Sequence, residues 1–423
     1  MKKIAIATLG CKVNRYDSAV IHKLLEVAEF SFVPFDQQAD VYIVNTCTVT
    51  KRADYQSRQL IRRSHRLNPD ALIIVTGCYA QRSPQEIKKI QGVDYTVGIG
   101  KKERILDLIN GSPRKEVPLE ITNDIPAFPE HTRAFLKVQD GCDSYCSYCI
   151  VPYARGRSKS LRKEDAIRSI SKLAELGYRE IVLTGIHLGS YGLDIKPPSN
   201  LTNLLRSIEH EGISCRIRLS SIEPTEFDDD LIALISSSPI ICNHLHIPLQ
   251  SGDDEVLKRM NRPYSSELFK ELVKKLVSAI PDLNIGVDVI VGFPGESHEN
   301  FTNTVNVIEE LPIGYIHVFP YSRRPGTPAA DFPDQVDSKT IKKRGKILRS
   351  LGNMKREEFY RRFLGKRLSI LVESKKDVGT KYLKGFSRNY IPVLIDVGED
   401  MVNKEIPIIV TGVHDGKVFG TPV

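Results

Sequence analysis

Residues 140–158 read DGCDSYCSYCIVPYARGRS, and the reading of their three cysteines decides the fold. Cys142, Cys146 and Cys149 stand in a CxxxCxxC spacing directly after the strand-like run AFLKVQ (134–139). A structural zinc site needs a fourth protein ligand, and no nearby Cys or His supplies one at a finger-like spacing. Three thiolates within eight residues can instead hold three irons of a [4Fe-4S] cluster and leave the fourth iron open. An open iron beside a bound cofactor is a reactive centre, and it needs a scaffold that presents loops at one end.

Outward from that stretch the chain supplies such a scaffold. After AFLKVQ come EIVLTG, RIRLSS, HLHIPLQ, IGVDVIVGF and YIHVFPYS, separated by helical stretches beginning near Arg162, Asn200, Phe227, Asp253, Ser265 and His298. Six β/α repeats fall two short of a complete eight-stranded barrel, so an open, partial (β/α)6 barrel is expected. The cysteine loop follows its first strand, where barrels place their active sites.

The first third alternates in the same manner. KIAIAT, VYIVN and LIIVTG are apolar runs of strand length followed by amphipathic segments, which predicts a parallel-sheet α/β domain. A cysteine follows each run almost at once: Cys11, Cys47 and Cys78. Ligands of open parallel sheets bind beyond the carboxyl ends of the strands, so three thiols are expected at one edge. A single such cysteine reads as a buried apolar residue; three in equivalent positions point to a shared metal site. Residues 112–131 hold four prolines without periodicity and read as a linker. Beyond residue 366, RLSILVES, YLKGFSRNYIPVLID and IPIIVTGVHDGKVFG, with Gly and Asn turns between them, predict a small β-barrel. The expected domains are therefore 1–113, 128–358 and 362–423.

At 423 residues, 41% hydrophobic and 26% charged, the chain reads as a soluble multidomain protein. Eight cysteines are too few for a disulfide scaffold of this size, which points to a reducing cytoplasm. The opening MKKIAIATLGC imitates an export signal, but its six-residue apolar run is shorter than such signals use and serves as a first strand. No segment has the length of a membrane helix. The net charge of +8 is uneven: Lys339 to Arg367 holds twelve Lys or Arg against Glu357 and Glu358, and residues 51–66 hold six against Asp54. Such faces fit a polyanionic partner.

CxxxCxxC at the end of the first barrel strand, with Tyr148 before the last cysteine, resembles the radical S-adenosylmethionine enzymes. The resemblance implies that the amine and carboxylate of S-adenosylmethionine complete the cluster. LTGIHLGSYG (183–192) looks like the segment contacting the methionyl end; RLSSIEP (218–224), HIPLQSG (246–252) and VDVIVGFPGE (287–296) look like the ribose- and adenine-facing loops. On that likeness the cofactor contacts are Tyr148, Gly185, Gly189, Ser220, Glu223, Gln250 and Gly292, with Gly252 as a further close-approach glycine. Upstream, TLGCKVNRYDS, NTCTVT and VTGCYAQ resemble the methylthiotransferases, in which Cys11, Cys47 and Cys78 would hold a second [4Fe-4S] cluster. The terminal barrel matches that family's RNA-binding barrel, called TRAM, in position and size.

The run GCKVNRYDS with NTCTVT is most similar to the branch acting on threonylcarbamoyladenosine in tRNA; the other branches act on isopentenyladenosine in tRNA or on a ribosomal protein. The resemblance implies hydrogen abstraction from C2 of the modified adenosine next to the anticodon and transfer of a methylthio group to that carbon. Its expected partners are the tRNA anticodon loop and an electron donor such as flavodoxin or ferredoxin. A non-enzymatic iron-sulfur RNA sensor is the alternative, against which the glycine loops argue. Arg155 and Arg157 are open to a cofactor carboxylate, to RNA or to solvent. His187, His244, His246 and His317 read as rim or core residues, and Cys215 and Cys242 as ordinary buried cysteines.

Overall fold

The computed structural model describes residues 2–26, 28, 30–111 and 132–423; the linker expected at 112–131 lies outside them. The three apolar runs of the first third become β1 (Lys3–Thr8), β3 (Val41–Thr46) and β4 (Leu72–Gly77), joined by the short β2 (Ser31–Phe32) and β5 (Tyr95–Thr96). All pair in parallel, in the order β2-β1-β3-β4-β5. Every residue of β3 is buried, as a strand covered on both faces requires. Tyr42, Val44, Ile73 and Val75 pack with Ile61 on one face, and Ile43 and Ile74 with Ile21 and Leu25 on the other. The order reverses between β1 and β3, the topological switch at which open sheets take ligands. Cys11 follows one of those two strands and Cys47 the other.

The middle section holds β6 (Arg133–Lys137), β7 (Glu180–Thr184), β8 (Arg216–Leu219), β9 (His244–His246), β10 (Asn284–Val291) and β11 (Tyr315–Pro320). They form two three-stranded parallel sheets, β6–β8 and β9–β11, each in chain order. Single parallel bridges, Ile217 with Ile241 and Ser221 with His246, cross the join. Six parallel strands in sequence order are the expected partial barrel. The intervening helices begin where polar caps allow: Asn200, Asp228, Asp253, Ser265 and Ser297 each accept a backbone N–H three residues on.

The C-terminal strands β12 (Arg367–Lys376), β13 (Leu383–Ser387), β14 (Pro392–Ile395), β15 (Glu405–His414) and β16 (Lys417–Pro422) close into a ring in the order β12-β13-β14-β16-β15. Every pairing is antiparallel except β14 with β16. Ile370, Val393, Ile408 and Val418 fill it, joined by Phe359, Tyr360 and Phe363 from the end of the helix Ser338–Arg361 and just beyond.

The ring is fixed to the amino ends of the core strands by a buried polar network. Glu180, fully buried at the start of β7, binds Arg216 and Arg218 at 2.7 Å each. Those arginines reach on to the carbonyls of Phe386 (2.7 Å) and Arg388 (2.9 Å) and to Glu405 (3.1 Å). Asn284, first in β10, donates to the Asn389 carbonyl at 2.8 Å, and the Tyr390 ring lies beneath Arg218 and beside His244. The two guanidiniums hold the Glu180 carboxyl far below the usual carboxylate range although burial opposes them.

The described residues divide into two compact units. One holds those up to 111 with Asp140–Lys159 and Ser322–Ala330; the other holds those from 132 to Gln139 with Ser160–Tyr321 and Asp331–Val423.

Candidate iron-sulfur and cofactor site

All six cysteines of the two sets lie in the first unit, and none forms a disulfide. Glycines set the exits from two of the strands. Gly10 has φ +102° and Gly77 φ +92°, conformations that side chains rarely adopt. A Cβ on Gly77 would stand 2.4 Å from the Thr46 carbonyl oxygen, and one on Gly10 would stand 2.9 Å from the Cys47 Cβ. The chain therefore turns sharply into Cys11 and into Cys78. Cys47 and Cys78 are buried and Cys11 is exposed.

Polar side chains lock the three strand ends together. Asn14 donates to the carbonyls of Leu9 (2.7 Å) and Thr46 (3.0 Å), and Asn45 donates to the Asn14 carbonyl (2.9 Å) and to Ser18 Oγ (2.9 Å). Thr46 Oγ1 donates to the Thr76 carbonyl at 2.6 Å. Past Cys47, Thr48 donates to Asp54 (2.7 Å), and Arg324 donates to both Asp54 (2.6 Å) and Thr48 (2.7 Å). Burial pushes the Cys47 thiol up, and it pushes the Cys78 thiol up to about 12 although the Arg155 guanidinium opposes it. A buried thiol so reluctant to ionise remains S–H at neutral pH until a metal displaces the proton.

The second set is held on a tight loop. Gly141, at φ +73°, has the Arg157 carbonyl where a Cβ would lie, and Cys142 N–H donates to the Gly156 carbonyl at 3.1 Å. Cys149 N–H donates to the Cys146 carbonyl at 2.9 Å, and Ser144 N–H donates to Cys142 Sγ at 3.4 Å. Tyr148 is half-buried on the same loop. Among the described residues, the trio of His, Cys, Asp or Glu with ligand atoms all within 4.8 Å is His246, Asp288 and His317, and neither cysteine set belongs to it. Thiols are the donors that iron-sulfur clusters take, and two sets of three fit two such clusters, each with three protein ligands.

Arg155 is neither a surface arginine nor a free anion receptor. Its side chain is 1% exposed. It donates to both oxygens of Asp140 (2.8 and 2.9 Å), to Asp17 (3.2 Å) and to Asn14 Oδ1. Arg157, by contrast, is exposed and 3.4 Å from Asp143. Asn14, Asp17 and Ser18 went unremarked in the sequence, yet they occupy the buried face of the helix Lys12–Glu26 together with Val13, Ile21 and Leu25. Polar residues at helical spacing on an apolar face were the available signal.

In the second unit the expected cofactor residues lie at the carboxyl ends of the core strands. Gly185 N–H donates to Ser220 Oγ at 3.4 Å, and a Cβ on Gly185 would stand 2.8 Å from Gln139 Oε1, which accepts from His187 N–H. Gly189 lies under the Glu226 carboxylate. Glu223 is paired with Arg262. Gln250 has φ +61° and bridges to β10 through the Asp288 carbonyl (2.8 Å) and Ile290 N–H (2.9 Å). Gly292 is packed against Ile341 and Gly252 against Thr304, so protein neighbours already account for the small residue at both.

The histidines form a relay in this unit. Tyr315 Oη meets His244 at 2.8 Å and His246 at 3.1 Å, and Asp288 meets His246 at 2.9 Å and His317 at 3.3 Å. Those two imidazoles hold the Asp288 carboxyl well below its usual range against the effect of burial. His187 is paired with Glu226. Cys215 and Cys242 are buried, and burial pushes the Cys215 thiol up to about 12.

Two family models match the chain: the "Uncharacterized protein family UPF0004" over residues 3–98 and the radical SAM superfamily over residues 136–308. A threonylcarbamoyladenosine tRNA methylthiotransferase of Bacillus subtilis is 43% identical, over 96% of this chain and 93% of that protein. A tRNA-2-methylthio-N(6)-dimethylallyladenosine synthase of Pelotomaculum thermopropionicum is 34% identical, over 99% and 97%. Among solved structures, the radical S-adenosylmethionine methyltransferase TsrM of Kitasatospora setae shares the fold, with a TM-score of 0.56 and 17% identity over 78% of this chain and 77% of that one. The relatives span the N-terminal sheet, the cysteine loop and the terminal ring alike, and on that full-length similarity the chain belongs to the methylthiotransferase family of radical S-adenosylmethionine enzymes.

Proposed function

We propose that the protein transfers a methylthio group to C2 of threonylcarbamoyladenosine beside the anticodon of tRNA. The observation carrying this reading is the pair of three-thiol sets in one compact unit, combined with greater identity to the threonylcarbamoyladenosine enzyme than to the dimethylallyladenosine one. Cys142, Cys146 and Cys149 hold one [4Fe-4S] cluster, and Cys11, Cys47 and Cys78 hold the other. Bound there, the clusters and S-adenosylmethionine supply electron transfer, hydrogen abstraction and the sulfur, chemistry that side chains lack.

The chain's share is binding and orientation. Tyr148, Gly185, Gly189, Ser220, Glu223, Gln250 and Gly292 contact S-adenosylmethionine. Cys47 and Cys78 would hold that cluster from buried positions and Cys11 from an exposed one, and holding sulfur and carbon in place replaces a bimolecular encounter. Residues 1–113 form the module of the N-terminal cluster, 128–358 the radical core, and 362–423 a TRAM-like ring that grips RNA. A flavodoxin or ferredoxin delivers electrons, and the enzyme works in the cytoplasm. The adenosine is splayed out of the anticodon loop, as single-stranded recognition requires.

Mass spectrometry of tRNA nucleosides from a strain lacking this gene tests the reading. The 2-methylthio form of threonylcarbamoyladenosine should vanish while its unmodified parent accumulates. Loss of the isopentenyl derivative instead would overturn the substrate, and unchanged tRNA would overturn the RNA reading.

A further inference from the structure

Asn14 Oδ1 is shared. Cys78 Sγ stands 3.9 Å from it, and Arg155 Nη2 donates to it. The guanidinium thus meets the Cys78 thiol at one common oxygen, on its N-terminal-sheet side, while its other nitrogen forks onto Asp140, two residues before Cys142. Two carboxylates, Asp17 and Asp140, fix it, and Asp17 is itself held by Lys102 at 2.7 Å. At 1% exposure its charge is hardly screened by water, so it acts on the sulfur at short range through protein.

We infer that Arg155 is a positioning residue that ties the loop of Cys142 to the thiol of Cys78 and raises the reduction potential of the cluster carried by Cys11, Cys47 and Cys78. This rests on the proposed ligand set. The reasoning is electrostatic: one-electron reduction adds a negative charge to the centre, and a fixed cation and hydrogen-bond donors near its thiolates favour the reduced state. Lysine cannot reproduce the arrangement, because one ammonium cannot fork onto Asp140 while also reaching Asn14.

The test uses full-length protein with Cys142, Cys146 and Cys149 changed to alanine, so that only the N-terminal cluster titrates. Its midpoint potential is followed by electron paramagnetic resonance during a dye-mediated reductive titration, with and without Arg155→Gln. The expected result is a lower midpoint in Arg155→Gln by about a tenfold change in the oxidised-to-reduced ratio, ~59 mV for a one-electron couple. Arg155→Lys should fall between the two.

An unchanged midpoint in a cluster-loaded Arg155→Gln protein overturns the inference. If that variant takes up no cluster, Asp140→Asn decides. It keeps Arg155 and every N-terminal ligand but removes one carboxylate opposing the cation, so the midpoint should rise, and an unmoved midpoint overturns the inference. A parent protein that binds no iron once the three loop cysteines are gone overturns the ligand assignment, and Arg155's role with it, which separates that failure from the others.

Discussion

At Gly77 the backbone has φ +92°, and the Thr46 backbone crowds the place a side chain would take. Gly77→Ala should therefore destabilise the N-terminal sheet by about 3 kcal/mol or more, combining left-handed strain with overpacking. Hydrogen exchange of β3 and β4 would register the loss. Cys78→Ala has a chemical consequence instead: roughly half of the bound iron should go, since one of two four-iron clusters loses a ligand. Methylthiolated product should disappear while 5′-deoxyadenosine release persists, which liquid chromatography with mass detection resolves. The cysteines were legible because each follows an apolar run of strand length. The pairing of Arg155 with Asn14 and Asp17 was not, because Arg155 meets Asn14 across 141 residues, a proximity that no local pattern encodes.

Among the elements, β7 carries a fully buried electrostatic commitment. Glu180→Gln leaves Arg216 and Arg218 buried without their shared counter-charge, and breaking such a buried set costs about 3–5 kcal/mol. Because the folded-state carboxyl is depressed, this contribution is full above the unfolded value near 4.3 and is lost as pH falls through the far lower folded value. The melting-temperature gap between wild type and Glu180→Gln should hold steady from neutral pH to about pH 5 and narrow below about pH 4.

The helix Ser338–Arg361 makes a second case. In the sequence its basic residues read as one face, but Arg344 is buried against Glu296 and Lys355 caps the carbonyls of Glu309 and Leu311. Lys342, Lys343 and Lys346 remain exposed. Replacing all three with Gln should weaken tRNA binding and flatten the log-log salt dependence by about 0.7–0.9 for each phosphate that is no longer neutralised, as filter binding across salt concentrations would measure. Strand and helix boundaries followed from hydrophobic period and capping residues. That the ring would be pinned by backbone carbonyls at 386–389 did not, since carbonyl acceptors carry no side-chain signature.

In the larger unit, the six-strand core has a loop-bearing end, where the proposed cofactor contacts lie, and an end anchored to the ring. The carboxyl ends carry the loops of Gly185, Ser220, Gln250 and Gly292, while the amino ends sit on the ring through Arg216, Arg218 and Asn284. Between them runs the length of the strands, about 26 Å for the eight residues of β10. Because Glu180 and its arginines pin the ring to those amino ends, that separation is set by the length of the strands. On the proposed function RNA touches both ends, so an adenosine correctly modified but carried on a short oligonucleotide gives up contacts that a full stem-loop makes. A bare anticodon heptanucleotide should accordingly show a KM at least about tenfold above that of a full anticodon stem-loop, roughly 1.4 kcal/mol of lost grip, with kcat much less affected.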